Sequence, residues 1–392
     1  MRRLITAFVA LIACSSAFGA GPTTRITIDS LEGPVTQSEI DSFKTYMRTL
    51  PVPTSNKGNA MVYGSVGGAC EALCAMAEVT HDREIIDKML AYAEQMMAAR
   101  NHPETGRILW TGKRDPVWPN KAEDAKDAKS AGTENGDVIA HIALAALLIL
   151  KDKSLDAGYH DRARALVREC DRSMDEFIIP WLVDAKTLKY HTPDSPGYGE
   201  LDERNERARG KSVPWNQQMM LNGGFQRLAE CHDVLGDDPE RVNKYDAIVK
   251  TSCEQFLSEV VKYQVDGHDC YKWSYAVGDK TLHYMEDGGH AGYDLLVLRS
   301  YLSGRYGITK EQMLPFVNTV RYVMSKGEGK FAWKVDGRGE TRDYLGGTYL
   351  YLAEIDPDVY PLIAGACMKR AESNPATAAR ILWMKHRRAT RS

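Results

Sequence analysis

The chain has little of what would divide it or commit it to several common functions. No Pro/Ser-rich linker and no low-complexity tract interrupts its 392 residues. A single domain over 21–392 is therefore the simplest organisation, although it exceeds the usual size of about 100–200 residues. Strand-like alternation is sparse and short. Basic charge is not in excess, with 50 Lys and Arg against 53 Asp and Glu, so there is no field to hold nucleic acid by its phosphates. An anionic partner would need a local basic cleft. Cysteine is scarce too, at eight residues. No His or second Cys pair stands at zinc-ligand spacing from Cys70 and Cys74, which share a helix face as small packing residues. Neither a metal nor a cofactor is expected. The run Gly64-Ser65-Val66-Gly67-Gly68 lacks the Lys-Ser/Thr ending of a phosphate loop and reads as a helix-start turn.

One apolar run lies at the start of the chain. Met1-Arg2-Arg3, the apolar stretch Leu4 to Ala13 and the small residues up to Ala20 form a signal peptide over 1–20, too short for a stable membrane span. Ala17-Phe18-Gly19 suits ordinary cleavage, whereas Leu11-Ile12-Ala13-Cys14 resembles a lipoprotein box with a lipid anchor at Cys14. Either route exports the protein, as a periplasmic, outer-membrane lipoprotein or secreted species. Loss of Arg2 and Arg3 leaves about 48 basic against 53 acidic residues. An odd count of seven cysteines remains, so at least one is free.

What the chain has in quantity is helical periodicity. It predicts helices over 35–50, 66–79, 83–100, 136–152, 159–179, 215–235, 239–262, 289–304, 310–326, 343–354, 358–371 and 375–386. Tight turns such as Gly236-Asp237-Asp238-Pro239 join them in pairs, with Pro239 suited to a first turn. Between pairs lie short β-like runs centred on Trp110, Tyr190, Trp273 and Trp333, spaced by 80, 83 and 60 residues. The pattern predicts an all-α fold, an (α/α) toroid of six or seven helical hairpins with short β-hairpins on the cleft rim. Trp110, Tyr190, Trp215, Trp273 and Trp333 are candidates to stack on sugar faces, and core packing is the alternative. The charged run Asp202 to Arg209 reads as a solvated loop, and Lys385-His386-Arg387-Arg388 as an exposed tail.

Polar clusters open several of the apolar helices. The fullest is Glu286-Asp287-Gly288-Gly289-His290-Ala291-Gly292-Tyr293, where carboxylates can tune His290. On the next inner helix Tyr344 follows Arg338 and Arg342, and a ring would bring His290, Tyr344 and an Arg together. Such a trio suits elimination on a uronic acid. The C5 proton needs a base, the carboxylate must be neutralised, and the leaving glycosidic oxygen must be protonated. Asn135, Asn216, Gln217 and Asn222 are amides available for the carboxyl group, while Glu286 and Tyr293 would line the subsite. Tyr284 is a rival to Tyr344 for the acid/base role.

These features resemble toroidal polysaccharide lyases that cut alginate or glucuronan. The chain looks like polysaccharide lyase family 38 through Val213-Pro214-Trp215-Asn216-Gln217-Gln218, Glu286 to Tyr293 and Arg338 to Tyr344, across roughly 35–370. A looser similarity links Gly288 to Tyr293 to the inner-helix His block of alginate lyase family 5, in which an Asn stands where this chain has Gly289. The resemblance implies metal-free β-elimination of an anionic polysaccharide, with the carboxylate-binding amide supplied by Asn216 or Asn222. The alternatives are a toroidal glycoside hydrolase or sugar epimerase, drawing on Asp137, Glu286, Asp287 and Asp343, or a non-catalytic acidic-glycan-binding protein.

Overall fold

A computed structural model of the chain describes residues 25–122, 125 and 128–391. The leader and Cys14 lie outside the described residues. The protein is mostly helical, with two small antiparallel β-hairpins. One pairs Val261–Val265 with His268–Lys272, and the other pairs Phe331–Ala332 with Thr341–Arg342.

The helix pairs follow from a division of labour in the sequence. Asn135–Lys151 is apolar nearly all round and almost wholly buried, whereas its partner Ala157–Ser173 buries one stripe and presents charge outward, as an outer helix should. The same contrast separates Ser65–Thr80 from Arg83–Ala98, and Trp215–Leu235 from Pro239–Glu259. Each fully buried Leu or Ile on the inner members contributes roughly 1.5–3 kcal/mol. Asp82, Asp156 and Asp238 accept from first-turn amides of the outer helices, satisfying donors that have no partner inside the helix. Gly236 ends Trp215–Leu235 at φ 67°, a conformation suited to glycine.

Asn135–Lys151 packs on both Ser65–Thr80 and Trp215–Leu235. The approach to the latter is backbone to backbone, since a Cβ on Gly136 would lie 2.5 Å from Leu221 Cα. Trp215–Leu235 meets Gly288–Asp294, which meets Gly347–Glu354. That helix touches Pro375–Arg391, which in turn lies on Ser65–Thr80.

Several boundaries differ from those expected. The predicted 289–304 helix is broken into Gly288–Asp294 and Val297–Leu302. The 159–179 and 310–326 helices relax into π turns at Met174–Ile178 and Thr319–Met324. No helix opens at Tyr344. Thr341–Arg342 is a strand, and a 3₁₀ helix begins only at Gly347. The aromatic run around Trp110 forms a turn, and the one around Tyr190 makes only isolated bridges to Val183 and from His191 to Ser212. Glu203–Ala208 is a short exposed helix. The supposed C-terminal tail is the end of Pro375–Arg391: Lys385 is buried, its ammonium 2.8 Å from both oxygens of Glu39. Glu39 also accepts the amides of Asp29 and Thr36, so this buried pair is fully hydrogen-bonded, the condition under which such a pair survives desolvation. The seven described cysteines are buried and unpaired, in keeping with packing roles.

Candidate active site

Three extended segments meet beside Gly288–Asp294. The Glu286 amide donates to the Trp273 carbonyl, the Val335 amide to the Glu286 carbonyl, and the Gly288 amide to the Trp333 carbonyl at 2.6 Å. Two glycines are needed here because a Cβ on Gly288 would lie 3.1 Å from Trp333 Cε3, and one on Gly289 would lie 3.3 Å from its Cζ2. The indole and the Asp287 carboxylate therefore leave little room for any side chain at 289.

Asp287 caps the helix, its Oδ1 accepting the amides of Gly289 and His290. Its other oxygen is 2.8 Å from His290 Nδ1. The contact with Asp287 raises the His290 pKa against the effect of burial. On Asp287 burial works against ionisation, but His290 and the two amides hold its pKa below the usual range. With Nδ1 fixed, Nε2 is the nitrogen turned to other uses.

Below them lies a pair of buried carboxyl groups. Glu286 is 1 % exposed and Asp294 0 %. Each uses one oxygen: Glu286 Oε1 accepts the Asp287 amide, and Asp294 Oδ2 accepts Trp273 Nε1–H, both at 2.8 Å. Glu286 Oε2 and Asp294 Oδ1 have no hydrogen-bond partner. Burial raises both pKa values, and the Asp294 carboxyl pushes that of Glu286 higher still. Such a pair needs a proton or a cation. Glu286, Asp287 and His290 each offer a ligand atom within 4.8 Å of one another, so this cluster is where a metal could be held.

Tyr275 stands beside His290, with ring centroids 5.0 Å apart. Burial, then Glu286 and Glu134, push its hydroxyl up to about 12, which keeps the proton on the oxygen. Glu134 is linked to Gln217 at 3.4 Å, and Gln217 accepts from Thr133 at 2.8 Å. Tyr275, His290 and Asp287 thus form one polar cluster, and Glu134 with Gln217 a second that bears on Tyr275 electrostatically.

Other expected site residues lie elsewhere. Trp110, Tyr190, Trp215 and Trp273 are buried, which leaves no ring face open to a sugar. The Trp110 indole donates to Ala131, and the Tyr190 hydroxyl to Asn222. Trp110 ties one loop to another and Tyr190 ties a loop to a helix, so these rings pack in the core and are not stacking platforms. Asn222 is used up by Tyr190 and Ser252, and Asn135 by the backbone of Trp118 and Gly132, so neither amide is available to a carboxylate. Asn216 is buried with a partnerless Oδ1. Tyr293 is turned toward Tyr63, donating to its carbonyl at 3.1 Å. Tyr284 is 59 % exposed and packs on His283. Arg338 reaches into solvent and pairs with Asp336. Asp343 pairs with Lys369, and Asp137 lies buried beside His141.

Arg342, Tyr344 and Trp333 form a unit of their own. The guanidinium of Arg342 lies 3.7 Å from the Trp333 ring centroid and donates to the Tyr344 hydroxyl at 2.7 Å. They border an open groove of about 490 Å³ lined by Lys330, Glu340, Thr341, Arg342, Asp343 and Tyr344. Among the described residues no hydrogen bond or ring contact joins Tyr344 to His290, so the expected trio divides about Trp333. Tyr275, Asp294 and Glu134 were not among the expected site residues. Asp294 left a trace, a charge four residues after His290 in an apolar run. Tyr275 left only its place two residues after Trp273.

No family model matches the chain, and neither a curated protein nor a solved structure is significantly similar to it.

Proposed function

We propose that the protein is an exported lyase that cleaves a uronic-acid polymer, alginate or glucuronan, by β-elimination. In this reading the inner helices Ser65–Thr80, Asn135–Lys151, Trp215–Leu235, Gly288–Asp294, Gly347–Glu354 and Pro375–Arg391 follow one another around an (α/α) toroid. Their successive contacts support that arrangement. The observation that carries the reading is the pairing of Tyr275 with an Asp287-held His290.

The imidazolium of His290 donates through Nε2–H to the uronate carboxylate, aided by Gln217, and stabilises the charge that develops when C5 loses its proton. Glu134, near enough to perturb Tyr275, takes that proton. The Tyr275 hydroxyl delivers its own proton to the departing glycosidic oxygen. Arg342 over Trp333 offers a neighbouring cationic platform for the acidic chain. The resemblance to polysaccharide lyase family 38 points the same way. Glu286 does not suit a hydrolase's acid, since its carboxyl is buried.

The test is incubation with polymannuronate, polyguluronate and glucuronan while following absorbance of the unsaturated uronate. Product from one of them supports the reading. Shortened chains without new absorbance would indicate hydrolysis, and saturable binding with no change in chain length would indicate a glycan-binding protein.

A further inference from the structure

We propose that Glu286, Asp287 and His290 form a binding site for a divalent transition-metal cation, with the buried Asp294 carboxyl behind Glu286 as its support. The assignment goes beyond elimination, and cation binding does not depend on that reaction.

Four observations converge. The ligand atoms are already close: His290 Nδ1 is 2.8 Å from Asp287 Oδ2 and 3.8 Å from a Glu286 oxygen. Two atoms bound to one ion at roughly 2.1 Å are no more than roughly 4.2 Å apart, and both separations fall inside that limit. Asp294, fully buried, lies against the Glu286 carboxyl and supports it from behind. Its Oδ1 and Glu286 Oε2 are buried acceptors with no partner outside the carboxyl pair itself. Finally, no Arg or Lys of the described residues forms an ion pair with Glu286, Asp287 or Asp294, whereas Glu39, Glu71 and Glu354 each have one.

One imidazole nitrogen and carboxylate oxygens suit Mn²⁺, Fe²⁺ or Zn²⁺; an all-oxygen shell of six to eight ligands would suit Ca²⁺. Binding releases the proton of His290 Nδ1 and any proton shared by Glu286 and Asp294 to solvent. His290 keeps its proton on Nε2. The Trp273 indole and the Asp287 amide remain as donors that orient the ligating carboxylates, a common support around metal ligands.

The test uses the whole chain stripped with chelator and dialysed, then titrated calorimetrically with Mn²⁺, Zn²⁺ and Ca²⁺ and followed by Mn²⁺ electron paramagnetic resonance. One Mn²⁺ or Zn²⁺ per chain is expected, bound at least about tenfold more tightly than Ca²⁺. Glu286→Gln and Asp294→Asn should each weaken binding about 10- to 100-fold. His290→Ala, a change at a half-exposed side chain, gives the same information should the buried variants fail to fold. Absence of saturable binding, or binding that survives all three substitutions, overturns the proposal and leaves the carboxyl pair sharing a proton. Cation binding without formation of unsaturated product would sink the lyase reading and leave this site standing.

Discussion

Two buried acids in this molecule meet opposite fates. Glu71 lies among Arg299 and Arg380, each ion-paired to it. Burial works against its charge, yet Arg380 and Arg299 overcome that and hold its pKa far below the usual carboxylate range. Glu286, more fully shut off from solvent, has another carboxyl for a neighbour, and its pKa moves up. The first arrangement completes itself within the protein. The second does not, and unresolved electrostatics of this kind mark sites that do chemistry or bind something.

The contrast can be broken most directly at Glu71. Glu71→Ala would strand two paired guanidiniums and should lower stability by about 3–5 kcal/mol in urea denaturation. Glu286→Gln in chelator at pH 7 should shift it by less than about 1 kcal/mol, because it removes a charge that burial already disfavours. Equal losses would erase the distinction. At the cleft, Tyr275→Phe should slow formation of unsaturated product about 10²- to 10⁴-fold with unchanged unfolding, while Tyr344→Phe and Tyr284→Phe retain most activity. The opposite ranking would move the chemistry to the Arg342 groove.

The His290 cluster was legible as a cluster because His290 sits at a helix mouth among carboxylates, where polar residues exceed what capping needs. The inner and outer helices were legible as well, through apolar periodicity that differs between Asn135–Lys151 and Ala157–Ser173. Tyr275 was not, because its place next to His290 arises only where residues 273–275, 286–288 and 333–335 align, and no local pattern encodes that meeting. Tyr344 misled for a related reason. Its apolar surroundings mimic a helix, but pairing of Phe331–Ala332 with Thr341–Arg342 holds the chain extended just before it. The aromatic recurrence was real in sequence. Indole donors at Trp110 and Trp273 find buried acceptors, so the rings serve the core.

A third charged cluster lies between the two extremes. His232 bridges Asp171 at 3.0 Å and Asp237 at 2.6 Å, with Arg241 and Tyr245 also on Asp171. Burial disfavours its charge, but the two carboxylates outweigh this and raise its pKa from 6.5 to about 8. The raised value means that its stabilisation is full below about pH 6.5 and lost as pH rises through about 8. Discounted for solvent screening, it amounts to about 1 kcal/mol. Unfolding at pH 6 and pH 9 should reveal the loss in the native protein and not in His232→Gln. The smallest effect is expected at Arg338→Ala, within about 0.5 kcal/mol and without change in product formation. A large loss there would return Arg338 to the site.

The contact of Lys385 with Glu39 has a consequence for the order of assembly. The two residues are 346 positions apart, and a ribosome supplies the carboxylate long before the ammonium. Until the last helix has been made, Gln37–Thr49 has no counter-charge for the acid it buries, so its native seat can be sealed only late. Deleting the chain beyond Met384 would remove the closing piece of that seat, and the damage would appear at the opposite end of the sequence.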